Sequence, residues 1–235
     1  MRKIILLLFW TFQLSMTFAQ ELTVTYEATY NTASHELFAD AGLPEEMRSN
    51  LATAYKNVVT VYQLVVNGEE SEFRVIPSDT KQEIVFMGRT IDVNAAMQLQ
   101  SQNYTYKNHE EGIILDKTQS FGKDFIVLDS IKTKRFILQE NEKKDILGFE
   151  CTKAISDDGK IIAWYTQNIQ IKDEPIASGL DGLILQFDNG QQTYTATKIL
   201  DVVKKKIIRP SGEKFVTKEE FSEMVKKRIE MMKRN

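Results

Sequence analysis

Two glycines three residues apart, Gly179 and Gly182, lead into an unbroken apolar run, Leu183-Ile184-Leu185, within Ser178-Gly-Leu-Asp-Gly-Leu-Ile-Leu-Gln-Phe187. Together they constrain the fold more than any other feature of the chain. Glycine recurring at such spacing marks backbone that needs positive φ or close approach. An apolar run without alternation marks a strand covered on both faces. The chain must therefore build a scaffold large enough to enclose a strand, with a corner that only glycine can turn.

The rest of the sequence supplies that scaffold. Leu22-Thr-Val-Thr-Tyr-Glu-Ala-Thr-Tyr30 alternates strictly, so Leu22, Val24, Tyr26, Ala28 and Tyr30 share one face of a half-buried strand. Asn67-Gly68, Asp158-Gly159 and Asn189-Gly190 each separate two strand-like runs, and such pairs suit the positive φ values of type I′ hairpin turns. Further short strands are expected near 83–87, 104–107, 112–117, 124–129, 134–139 and 144–147. Residues 43–56 change period: Pro44 opens a helix, Glu45 and Glu46 occupy its first turn, and Met47, Leu51, Ala54 and Tyr55 recur at helical spacing. At the other end Thr217-Lys-Glu-Glu220 reads as a capping box. It opens a helix over 217–233, with Phe221, Met224, Val225, Ile229 and Met232 on one face and Lys226, Lys227, Lys233 and Arg234 mostly elsewhere. That stripe is expected to dock on the domain's own sheet, with a partner or lipid surface as the alternative. The fold class is mainly β (α+β): a curved antiparallel sheet, as a half-barrel or a two-sheet sandwich, with a C-terminal amphipathic helix.

Residues 1–19 read as a secretory signal peptide. Arg2 and Lys3 precede an apolar stretch from Ile4 to Trp10, and Thr17-Phe-Ala19 forms a small-residue cleavage site before Gln20. The stretch is too short to span a bilayer, which takes about 20 apolar residues. Residues 20–235 are expected to form a single β-rich domain with no transmembrane segment, exported to the periplasm, the outer membrane or the medium. With one cysteine, Cys151, that domain has no internal disulfide and must be held by packing. Charge is unevenly spread. The chain carries −3 overall, while residues 198–235 hold 12 Lys and Arg against 6 Asp and Glu. A basic tail on an acidic body suits an acidic partner, an anionic membrane surface, the body itself, or simply a solvated helix face. Export and the acidic body disfavour nucleic acid.

Candidate chemistry is sparse. His35 and His109 are the only histidines, and no pair of ligands has the short spacing that makes a metal site legible. No Gly-x-Ser-x-Gly elbow, phosphate-binding loop or dinucleotide fingerprint occurs. Cys151 has Lys153 two residues away on the same strand face, which favours a thiolate, and Glu150 and Glu142 nearby, which oppose one. Burial is the expectation for this thiol. Aromatic groups at Trp164-Tyr165, Tyr104-Thr-Tyr106 and Phe121/Phe125 could line a concave ligand surface or fill an ordinary core. No catalytic residue, metal ligand or cofactor is assigned.

Three blocks carry a family resemblance: Ile146-Leu-Gly-Phe-Glu-Cys-Thr-Lys-Ala154, then Ala163-Trp164-Tyr165-Thr166, then Gly179-Leu180-Asp181-Gly182-Leu183-Ile184. In order and spacing this stretch resembles the core of the GLPGLI family, exported proteins typical of Bacteroidetes. Asp181 stands where that family usually has proline, and Asp can initiate a similar turn through its side chain. The resemblance transfers no catalytic residue. It implies a cell-envelope protein working beside TonB-linked outer-membrane transport systems. The expected role is therefore a non-enzymatic binding or accessory protein taking an envelope protein or an apolar or peptide-like ligand. A hydrolase using Cys151 with a histidine is the second reading, and a metal carrier using both histidines the third.

Overall fold

A computed structural model describes residues 21–34, 37–38, 43–78, 80–171, 179–202, 206–212 and 214–233. The signal-peptide reading (1–19), His35, Ser178, Lys204, Lys205, Arg234 and the side chains of Met232 and Lys233 lie outside the described residues. The elements run β1 (Glu21–Tyr30), α1 (Glu45–Ala54), β2 (Val59–Asn67), β3 (Glu70–Ile76), β4 (Glu83–Phe86), β5 (Arg89–Asp92), α2 (Val93–Gln100), β6 (Tyr104–Asn108), β7 (Ile113–Ser120), β8 (Lys123–Ser130), β9 (Phe136–Ile146), β10 (Phe149–Ser156), β11 (Ile162–Thr166), β12 (Leu183–Asp188), β13 (Gln192–Leu200), β14 (Phe215–Thr217) and α3 (Lys218–Lys233). The mainly β class stands.

One sheet of 12 strands organises the molecule, ordered β14-β8-β7-β6-β3-β2-β1-β13-β12-β11-β10-β9, with β4 and β5 as a separate hairpin. Every pairing in the large sheet is antiparallel except β14 alongside β8. Register shifts at Thr25/Tyr26, Thr152/Lys153 and Trp164/Tyr165 bend the strands they interrupt, as bulges do. The sheet curves enough for β1, β2, β10, β11, β12 and β13 to share one core. Leu22, Val24, Tyr26 and Ala28 all face it, as the alternation of β1 predicts. Leu183, Ile184 and Leu185 are each no more than 2% exposed, so β12 is covered on both faces. Burying each such side chain contributes about 1.5–3 kcal/mol.

The glycine corner is as demanding as its sequence suggests. Gly179 and Gly182 have φ of +141° and +145°, backbone that residues with a Cβ rarely adopt. A Cβ on Gly179 would overlap the carbonyl oxygen of Lys134, and one on Gly182 that of Thr166. Asp181 is exposed between them. Ile169 and Ile171, just beyond β11, and Leu180, within the corner, are buried in the same core.

The three Asn-Gly and Asp-Gly hairpins form, but their turn class differs from expectation. Gly68, Gly159 and Gly190 have positive φ, whereas Asn67, Asp158 and Asn189 do not. The Asp158 and Asn189 side chains brace these turns instead: Lys160 N–H donates to Asp158 Oδ1, and Gln191 and Gln192 N–H donate to Asn189 Oδ1. Donors from Ser156, Lys134 and the Lys160 backbone hold the Asp158 carboxyl well below the usual range. Paired positive φ, the I′ signature, occurs instead at Met87-Gly88, Phe121-Gly122 and Leu147-Gly148.

The C-terminus wraps the β8 edge. Residues 206–212 cross the outer face, where Ile207 is buried with Val65, Tyr106, Leu115 and Ile126. β14 then pairs along β8, and α3 begins. The capping box is made as predicted: Thr217 N–H donates to Glu220 Oε2 at 2.8 Å, and Glu220 N–H donates to Thr217 Oγ1 at 3.2 Å. The expected docking of α3 is only partial. Phe221 meets Phe125 edge-on at 5.4 Å and Lys218 pairs with Asp129 at 2.7 Å, while Met224, Ile229 and Met231 stay 36%, 37% and 49% exposed. The helix runs past the sheet that was to cover it.

Candidate functional site

The residues singled out from the sequence do come together, as architecture. β10, β11 and β12 lie side by side, with Lys153 opposite Trp164, Tyr165 opposite Ile184 and Thr166 opposite Leu183. Ala163, Tyr165, Thr166, Leu180, Leu183 and Ile184 are buried. Trp164 lies on the outer face, with the Lys144 and Lys153 ammonium groups 4.5 and 6.0 Å from its ring centre. The Lys144 ammonium also donates to Gln186, whose amide donates to Thr195. Gly179, Asp181 and Gly182 make the corner. These residues hold three strands and a turn in register.

Cys151 is fully buried on β10, its Sγ 3.4 Å from the Phe149 carbonyl oxygen. Burial pushes the thiol up to about 11, against the attraction of Lys144. His109 sits just past β6, and six strands, β3, β2, β1, β13, β12 and β11, separate β6 from β10 in the sheet order. That burial is at odds with the partly exposed, electropositive setting of a nucleophilic thiol. In the folded protein, iodoacetamide is expected to modify Cys151 at least about 100-fold more slowly than in denaturant at the same pH, from thiolate depletion alone. Rapid labelling without denaturant would reinstate the thiol. Among the described residues, no three His, Cys, Asp or Glu side chains gather into a metal-holding group, and no helix is long and apolar enough to cross a membrane.

The concave side offers a different kind of site. Between β3, β6 and β7 on one side and α3 on the other lies a groove of about 480 Å³. Tyr62, Phe73 and Val127 give it apolar walls, and Phe221 brings a ring from the helix. Polar groups alternate with them: Thr105, Asp116 and Thr118 from the strands, Gln100 and Asn103 at the end of α2, Lys218 and Ser222 from α3. The first turn of α2 is fixed by Asp92, which accepts from Asn94 and Ala95 N–H. Thr105 donates to Asp116 Oδ1 at 2.6 Å, leaving that carboxylate further acceptor capacity.

On the outer face of the same strands, opposite the groove, Arg74 lies 4.6 Å from the Tyr104 ring centre and 2.5 Å from Glu72, and the Tyr104 hydroxyl donates to the Ile208 carbonyl at 3.2 Å. Burial and the Glu72 charge raise the Tyr104 phenol. Asp129 raises Lys218 by hydrogen bonding and is itself lowered by it, so the helix start carries a fixed cation. Deeper in, Tyr62 stacks on Phe73 at 5.2 Å and meets Tyr194 at 5.0 Å. Of the side chains facing the groove, Phe221 was singled out by the sequence, as part of the apolar stripe of α3. Asp116, Gln100, Asn103 and Lys218 have no distinguishing spacing, because β7, the end of α2 and α3 bring them to one place.

No curated protein matches the sequence. Two solved structures of PNGF-II, in C2 and P21 space groups, share the fold with TM-scores of 0.50 each, at 17% and 16% identity over 88% of this chain. The chain spans about a third of their length (33%). Residues 62–224, running from the groove's inner wall into the first half of α3, match the family described as N-glycanase peptide, N-terminal domain. The match covers well over half of the sequence, and the chain belongs to that family.

Proposed function

We propose that this chain is an exported cell-envelope binding module, non-enzymatic in itself, whose concave groove takes a glycan or the sugar-bearing part of a glycopeptide. The groove's composition carries the reading. Aromatic and apolar side chains at Tyr62, Phe73 and Phe221 are interleaved with Asp116, Gln100, Asn103 and Lys218. Sugar rings present apolar faces edged with hydroxyls, and pockets that orient ligands combine apolar area with a few placed polar groups. A purely apolar ligand would leave those polar groups desolvated without partners. The family's description names an N-glycanase, which supports a sugar-bearing ligand. The resemblance to GLPGLI proteins and the charged, apolar start of the sequence support an envelope address and an accessory role beside TonB-linked transport.

Calorimetric titration with an N-glycosylated peptide, the same peptide without its glycan, and the free glycan tests the proposal. Saturable binding is expected for the two sugar-bearing ligands. Asp116→Ala and Phe221→Ala are each expected to weaken it about tenfold, the scale of one hydrogen bond to a charged group or one buried ring. Binding to the bare peptide alone, or equal affinity in parent and variants, would refute it. Release of glycan by the purified chain would replace a binding role with a catalytic one.

A further inference from the structure

At the far end of α3 from the groove, the β7–β8 turn and the helix form a second, chemically different surface. Phe121 and Gly122 turn β7 into β8 with φ of 49° and 73°. Positive φ in a bulky residue costs about 1–2 kcal/mol, and here it leaves the ring 45% exposed. α3 runs back along this hairpin, with the Arg228 guanidinium 5.8 Å from the Phe121 ring centre. Phe121, Phe125, Met224 and Met231 line a shallow groove of about 280 Å³ with Lys123, Lys227 and Arg228 and no carboxylate. Three cations around three exposed apolar side chains complement a surface that is anionic outside and apolar beneath. Amphipathic helices bind membrane interfaces through this combination.

We propose that the β7–β8 tip and the C-terminal half of α3 dock on an anionic phospholipid surface. Lys123, Lys227 and Arg228 would take headgroups while Phe121, Met224 and Met231 enter the acyl boundary. The charge asymmetry of the chain fits this orientation: the cations cluster in the segment carrying the tip helix, and the acidic body is held away. This surface is separate from the concave groove, and its test does not depend on the sugar-binding reading.

The experiment is co-sedimentation of the full chain with vesicles of phosphatidylcholine alone or with about a third phosphatidylglycerol, at two salt concentrations. The parent is expected to pellet with anionic vesicles and to lose most binding at high salt. K227E/R228E is expected to weaken binding at least about tenfold, since each cation near the surface contributes on the order of a fivefold change. Phe121→Gly is the decisive variant. Glycine suits this turn better, so its melting temperature is expected to hold or rise while vesicle binding falls. Unchanged pelleting in both variants, or equal pelleting with neutral vesicles, overturns the proposal. So does retention of an acidic amphipathic peptide without vesicle binding, which points to a protein partner, or tip-dependent dimerisation without vesicle binding, which points to a second copy.

Discussion

Gly182→Ala is expected to lower stability by about 2–6 kcal/mol, a large share of the roughly 5–15 kcal/mol a folded domain has to lose. The two contributions are separable. A φ of +145° is backbone that residues with a Cβ enter only at a cost of about 1–3 kcal/mol. The new methyl would also overlap the Thr166 carbonyl oxygen and stand 2.9 Å from its carbon. That carbonyl cannot yield cheaply, because Thr166 is the residue paired with Leu183 at the start of β12. Relieving the overlap means pulling Leu183, 0% exposed, out of register. Gly159→Ala is the matched control: its φ is +69° and nothing lies within 4 Å of a Cβ there, so its cost is about 1–2 kcal/mol from conformation alone. Denaturant unfolding of both variants measures the difference. If they unfold within 1 kcal/mol of each other, close approach is not what reserves Gly182 for glycine.

Much of the scaffold was legible from the sequence because it rests on local rules. The alternation of β1, the unbroken apolar run of β12 and the Thr217–Glu220 box each specify an element without reference to anything distant. The glycine corner was legible as a requirement, although the atoms that impose it, the carbonyls of Lys134 in the β8–β9 connection and Thr166 at the end of β11, come from elsewhere in the chain. Three turns went unread because the φ > 0 position is filled by Met87, Phe121 and Leu147, residues whose intrinsic preference argues against it. α2 had a readable cap in Asp92 and was still missed, since its eight residues are too few to establish a period. The 134–139 and 144–147 runs proved to be one strand, β9, interrupted opposite Thr152/Lys153. The candidate groove was the least legible part. Asp116 and Thr105 meet only because β6 pairs with β7, and Lys218 faces them only because the chain carries α3 around the β8 edge.

Phe187→Ala is expected to cost about 3–5 kcal/mol and to weaken ligand binding in a groove the side chain does not line. Phe187 is 1% exposed, stacks on Tyr194 at 4.2 Å and meets Tyr26 edge-on at 6.4 Å. Tyr26 in turn donates to the Ile184 carbonyl at 2.8 Å and meets the Phe73 ring at 6.3 Å. Tyr194 meets Tyr62, and Tyr62 stacks on Phe73, so a continuous set of rings joins β12 to the inner wall of the groove. Removing Phe187 deletes its own buried area, opens a cavity, and takes away two ring contacts worth about 0.5–1.5 kcal/mol each beyond area. Burial raises both the Tyr62 and Tyr194 phenols, so a loosened ring set should also bring their ionisation down toward the ordinary tyrosine range, a shift readable by ultraviolet titration. Phe187→Leu keeps an apolar side chain of nearly the same reach and should recover roughly half the loss. A double-mutant cycle with Tyr194→Ala isolates the stack, with about 1 kcal/mol of coupling expected. Coupling near zero, with the tyrosine titration unmoved, would mean that the two halves of the sheet are held by aliphatic packing, and that the rings do not transmit order from the core to the groove.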